Sequence, residues 1–273
     1  MREAAIYEQF VAGHAEEFAP RLHAVDRAEP GEAVLYLEAL RPVSTWPWRE
    51  QLAAQRVLDL AAQLHACVAD REAKAAISAW DYEAELQHTA RLTLERLEQV
   101  RRQPALWSFG GALRWTRRVV SALPVLRRQL LAFEPFGSAV IHGDLHPGNV
   151  VLRQGNGGRE PVLLDWGRTR IGSPLEDVSC WLQSLGAWEP EARRRHDTLL
   201  VGYLAARGIE RRLHTELRAA YWLAGASNAL SGALMYHLSV LLDASLPSGT
   251  HASAAYSARE WVRVLRRAAA FWC

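Results

Sequence analysis

Apolar positions repeat with a helical period over most of this chain and run together, strand-like, in four short places. Arg2–Ala12 puts Ala5, Ile6, Phe10 and Val11 on one side, which predicts a helix. Leu22–Val25 and Ala33–Leu37 read as strands on either side of the polar turn Asp26–Glu32. From Trp48 the pattern turns helical. Leu52–Cys67 carries Leu52, Val57, Leu58, Ala61, Ala62 and Leu64 at helical spacing. Trp80–Arg102 is a long charged amphipathic helix striped by Leu86, Leu92, Leu94, Leu97 and Val100. Leu113–Phe133 is another, with a break expected at Pro124. Leu175–Leu185 and Glu191–Arg207 read as helices, the second stopped by Gly208. No charge occurs from Ala219 to Leu242. That run is long enough for a bilayer span, but Ser227, Asn228, Ser231, His237 and Ser239 interrupt it, so a buried central helix is expected. Tyr256–Trp272 closes the chain with Arg259, Arg263, Arg266 and Arg267. The large apolar stripes predict core.

The chemistry concentrates in the two remaining strand-like runs. In Ala139–Val151, AVIHGDLHPGNVV, Val140 and Ile141 lead into His142, Gly143 and Asp144, and Asn149 follows five positions after Asp144. In Pro161–Gly167, PVLLDWG, Val162, Leu163 and Leu164 lead into Asp165. A carboxylate, a carboxamide and a second carboxylate at strand ends make a hard-oxygen set suited to Mg²⁺. The D-x-x-x-x-N spacing is that of a kinase catalytic loop.

HGDLHPGNV followed by LLDWG resembles the aminoglycoside phosphotransferase and choline kinase family, small-molecule relatives of the protein kinases. Gly172, Pro174 and Asp177, in GRTRIGSPLEDVS, resemble the continuation of that motif, and QLHA before Cys67 is similar to the end of the family's first C-lobe helix. The resemblance implies an α+β, protein-kinase-like two-lobed fold. Residues 1–43 would form a partial N-lobe and 44–273 a large, mostly α-helical C-lobe. It implies transfer of the γ-phosphate of ATP to a hydroxyl of a small molecule, with ATP and Mg²⁺ as cofactors. Asp144 would be the catalytic base, and Asn149 and Asp165 the metal ligands. Glu3 would match the helix-αC glutamate, while Leu37 and Ala39 would match the hinge positions whose backbone bonds adenine. His142 would brace the loop, His146 would sit near the phosphate path, and Asp177 would be a buried acceptor of backbone N–H groups.

The sequence also departs from the pattern. No glycine-rich loop or lysine-bearing strand precedes Glu3, and the single lysine is Lys74. An incomplete N-lobe, an exposed sheet edge and weak binding of ATP are therefore expected, either from a start placed too late or from a truly short product. Gly167 stands where the family commonly has an acid, and Ser173 where it often has Asp. Glu3 also fits a plain helix-start carboxylate.

Composition narrows the partners. Formal net charge is +2, too near neutral to imply nucleic acid or a membrane surface. Cys67, Cys180 and Cys273 are odd in number and widely spaced, so neither a disulfide framework nor a zinc site follows, and a cytoplasmic setting is expected. Glu3 and Glu8 interrupt any early apolar run, so no leader is expected. Arginines outnumber acids after Trp166, which disfavours a polycationic acceptor and leaves a neutral, anionic or amino-alcohol substrate. Trp181, Trp188, Tyr221, Trp222, Tyr236 and Trp261 could supply an aromatic cage or could be core. Two other functions fit parts of the pattern. One is a non-catalytic pseudo-kinase serving as a binding protein. The other is a metallohydrolase using His142, Asp144 and His146.

Overall fold

The computed structural model describes residues 1–27, 31–40, 46–103, 109, 111–155 and 158–272. The middle of the Asp26–Glu32 turn, the lobe boundary expected at 43/44 and Cys273 lie outside the described residues. Helix α1 (Arg2–Ile6) runs on as a π-wound segment, Tyr7–Ala15. Strands β1 (Leu22–Asp26) and β2 (Val34–Leu37) follow. Next come helices α2 (Gln51–Leu64), α3 (Arg71–Ser78), α4 (Tyr82–Arg101) and α5 (Ala112–Leu131). Strands β3 (Ala139–Ile141), β4 (Val150–Gly155), β5 (Gly158–Leu163) and β6 (Arg170–Gly172) carry the central motifs. The rest is helical: α6 (Pro174–Trp188), α7 (His196–Ala206), α8 (Thr215–Asn228), α9 (Leu234–Leu242) and α10 (Ser248–Trp272).

The chain divides into two compact units, residues 1–80 with 138–213 and residues 81–137 with 214–273. Among the described residues, the first contains every strand. Three antiparallel pairs form, β1 with β2, β3 with β6 and β4 with β5. Val34 and Tyr36 alternate outward from β2 and are exposed, the period-two pattern of a sheet with one open face. Helix α6 is apolar on almost all sides, and its residues from Pro174 to Gly186 are buried, as expected of a helix at the centre of a core. Its start is set locally. Ser173 caps Leu175, Glu176 bonds back to the Ser173 N–H, and Pro174 occupies the first turn, a reciprocal capping box that satisfies otherwise orphaned donors. This accounts for Ser173, for which the sequence alone offered no reason.

The second unit is entirely helical among the described residues. Helix α4 is capped by Asp81, whose side chain accepts the Ala84 N–H. Helix α5 continues through Pro124 where a break was expected. Pro124 is on the exposed face, so the carbonyl that loses its intrahelical partner can be met by water. The uncharged run at 219–242 is two helices rather than one. Between α8 and α9 the backbone turns π-like, and Gly232 takes φ 141°, a value open to glycine at little cost. No helix of the described residues is long and apolar enough to cross a membrane.

Candidate active site

Strand register builds the site. β4 pairs with β5 from Val150↔Leu163 to Gly155↔Gly158. The ladder extends one step, because the Leu164 N–H donates to the Asn149 carbonyl at 2.8 Å. Asn149, just before β4, and Asp165, just after β5, therefore emerge at the same end of one hairpin. The Asn149 amide nitrogen donates to the Asp144 carbonyl at 3.0 Å and faces its Oδ2 at 3.4 Å. That leaves the side-chain oxygen of Asn149, an acceptor only, as the atom that could meet a cation.

Asp165 takes a left-handed backbone, φ 60° and ψ 70°. For a residue with a Cβ this costs about 1–3 kcal/mol and persists only where neighbours impose it. The neighbours are visible. Trp166 is fully buried, with its indole N–H donating to the Leu163 carbonyl at 2.9 Å. Glu3 accepts the Trp166 main-chain N–H at 3.1 Å. Burial first, and the Asp165 carboxylate second, hold the Glu3 carboxyl above its usual range. Glu3 is thus a half-buried partner of the Asp165 loop and not a solvated helix-start residue.

His142 is fully buried. Its Nε2 lies 2.9 Å from the Leu164 carbonyl, and its Nδ1 is 3.3 Å from the Asp144 main-chain nitrogen. This network assigns the proton to Nε2. The ring is kept neutral chiefly by burial, although the Asp177, Asp144 and Asp165 carboxylates oppose that. Asp177 accepts the main-chain N–H groups of His142 at 2.7 Å and Gly143 at 2.8 Å. It also meets His65 Nε2 at 3.0 Å. Burial alone would raise the Asp177 carboxyl, but the His65 hydrogen bond and charge, His142 and the Gly143 N–H together hold it below the usual range.

Gly143 has φ 84°, and a Cβ there would lie 2.2 Å from both the Arg168 carbonyl and Arg170 Nη1. Arg170 and Glu176 form an ion pair at 3.1 Å that is almost wholly buried. Arg170 also donates to the Gly143 and Arg168 carbonyls, which ties the loop after β3 to the segment after Asp165. Gly172, in the family-like motif, packs so closely that a Cβ would meet Ile141 Cδ1 at 2.5 Å.

The remaining sequence candidates are dispersed. His146 accepts the Gly148 N–H at 3.0 Å through Nδ1, and its Nε2 is 3.9 Å from Asp144 Oδ2. Its ring is 6.1 Å from that of Trp188, which in turn is 5.6 Å from Trp46. Leu37 is paired with Leu22 at the end of the β1–β2 ladder, and Ala39 is exposed just beyond it. The hydrolase triad does not assemble. Both ring nitrogens of His142 are spent within the protein, and among the described residues no cluster of three His, Cys, Asp or Glu side chains could hold a metal. Sequence reasoning missed Arg2, Arg170 and Glu176. For Glu176 the signal was present in S-P-L-E, a capping-box spelling.

The profile of the phosphotransferase enzyme family matches residues 1–223. The chain belongs to that family. Membership places it among phosphotransferases of kinase-like, α+β fold, and nothing in the comparisons points to a hydrolase. A relative in Bacillus subtilis (strain 168), the uncharacterized protein YcbJ, is 30% identical over 113 residues, 41% of this chain and 36% of that protein. The match thus spans little more than a third of the relative's length. Among solved structures, an ethanolamine kinase from Plasmodium vivax shares the fold at 10% identity and a TM-score of 0.62, covering 95% of this chain and 70% of that one. The GDP complex of an aminoglycoside 2'-phosphotransferase-IIIa variant aligns at 14% identity and a TM-score of 0.60, covering 98% and 81%.

Proposed function

We propose that this phosphotransferase moves the γ-phosphate of ATP to a hydroxyl of a small alcohol or amino alcohol in a cytoplasmic setting. One observation carries the reading. The β4–β5 hairpin delivers Asn149 and Asp165 to one end, and Asn149 is bonded back to Asp144. The carboxylates and the carboxamide oxygen there are a donor set that fits Mg²⁺. Mg²⁺ held by Asn149 and Asp165 would neutralise charge on the nucleotide phosphates.

In this reading Asp144 orients the acceptor hydroxyl and takes its proton late in the transfer, while the neutral His142 ring fixes the loop that carries it. Residues 1–43 act as the nucleotide-side lobe, with the backbones of Leu37 and Ala39 meeting adenine, and residues 44–273 as the helical lobe. His146 sits on the phosphate path. Trp188, 52% exposed beside His146, is a surface for the acceptor's apolar or cationic part. Trp181 and Tyr221 are buried and belong to the core.

A second reading, a non-catalytic pseudo-kinase that serves as a binding protein, is favoured by a different observation. The single lysine, Lys74, is exposed on α3, and the Glu3 carboxylate is occupied by the Trp166 N–H. A panel of alcohols and amino alcohols, assayed for release of the nucleoside diphosphate with Mg·ATP and with Mg·GTP, separates the two. Acceptor-dependent release that collapses in Asp144→Asn supports the kinase. No release for any acceptor, with either nucleotide, supports the binding protein.

A further inference from the structure

The loop that follows Asp165 is gripped by two consecutive side chains of α1. Glu3 takes the Trp166 N–H from one side. From Arg2, Nε donates to the Gly167 carbonyl at 2.9 Å and Nη2 donates to the Thr169 carbonyl. The same guanidinium donates to the carbonyls of Ala76 at 3.3 Å and Ile77 at 3.2 Å, in the last turn of α3. Its centre lies 4.9 Å from the ring centroid of Trp80, and Arg168 shares that ring at 5.0 Å. One planar fork thus ties the loop to a helix that is itself docked on α1.

The loop needs such an anchor. Asp165 is left-handed, and only a single 3-10 turn, Trp166–Arg168, follows it. A loop with so few bonds of its own would relax toward an ordinary backbone at Asp165 and swing the carboxylate away. A guanidinium can meet four carbonyls at once because its five donors are fixed in a plane. An ammonium on a flexible stem cannot hold that geometry.

We propose that Arg2 is a positioning residue for cation binding: it clamps Gly167 and Thr169 to α3 so that the Asp165 carboxylate stays in its ligating orientation. This rests on Asp165 being a metal ligand, and the test separates the two ideas. Mn²⁺ is the probe, alone and with ADP, and free Mn²⁺ is measured by electron paramagnetic resonance for the full chain. Asp165→Asn should abolish binding. In protein that stays folded at the assay temperature, Arg2→Met and Arg2→Lys should each weaken Mn²⁺ binding about tenfold, the size of one net charge-assisted hydrogen bond. In a turnover assay they should lower kcat and raise the Mg²⁺ requirement without changing the acceptor KM. Should Arg2→Met fail to fold, Arg2→Lys, which keeps the charge and loses the fork, carries the test. Wild-type Mn²⁺ affinity in folded Arg2→Lys overturns the clamp while leaving the metal reading intact. Equal Mn²⁺ binding by wild type and Asp165→Asn, or none by either, removes the metal reading and the clamp with it.

Discussion

His65 Nε2 lies 3.0 Å from Asp177 Oδ2, and neither side chain reaches solvent. His65 closes α2, and Asp177 is in the first turn of α6, so the contact joins two helices beneath the loop that begins at His142. The other His65 nitrogen meets the Tyr203 hydroxyl at 2.8 Å, which carries the network on to α7. Asp177 is the hub, because the same carboxylate also holds the His142 and Gly143 N–H groups.

Removing that hub strands three buried donors. Asp177→Ala is expected to lower stability by about 2–4 kcal/mol, since each unsatisfied buried group costs about 1–3 kcal/mol and the site can partly relax. Urea denaturation measures it. An unchanged midpoint would mean that the network contributes nothing to folding.

The buried His142 ring predicts an acid-sensitive fold. Its pKa lies below the usual value of 6.5, chiefly through burial, so the unfolded chain takes up the proton first as pH falls. The stabilisation is complete above pH 6.5 and is lost as pH drops below it. Asp177, held below its usual 3.8, contributes above that value and loses its effect only at still lower pH. The melting temperature should therefore fall between pH 7 and pH 5. His237 is shifted the same way by burial, so His142→Asn should flatten part of that fall. An identical slope in His142→Asn would exclude this ring as the source.

Gly143 and Gly208 form a matched pair. Both have positive φ, 84° and 66°, but a Cβ meets backbone at 2.2 Å only at Gly143. Gly208→Ala should cost about 1 kcal/mol for the left-handed backbone alone. Gly143→Ala should cost clearly more and should displace the Arg170 bridge between the two loops. Equal midpoints for the two variants in chemical denaturation would contradict the close approach.

Nucleotide affinity is the most discriminating measurement on the whole chain. With its single lysine exposed on α3, this chain should bind Mg·ATP more weakly than the low micromolar range. The loss of one charge-assisted phosphate contact is worth about 1.5–3 kcal/mol. Titration calorimetry reads the constant directly. Low-micromolar binding would mean that arginines or backbone N–H groups supply the phosphate contacts.

The family was legible in the sequence, and the candidate site residues stood out with it, because both depend on short-range spacing. Asp144 and Asn149 share one loop, and Asp165 ends a strand whose hydrophobic run announces it. Most helices were legible too, because burial of one face imposes a helical period on any chain that packs this way. Local signals failed where tertiary context overrode them. Pro124 is tolerated because its face of α5 meets water. The uncharged run from Ala219 to Leu242 is divided by a Gly232 conformation that leaves no mark in hydrophobic periodicity. The three-residue strand β6 exists only because β3 is there to pair with it. Helix α3, capped by Asp70, was too short for its pattern to stand out. The arrangement around Asp165 was decided by the tertiary structure alone. Glu3 is 163 positions from Trp166, and Arg2 is 165 from Gly167. Hydrogen bonds over such separations depend on how the fold closes and leave no period in the sequence.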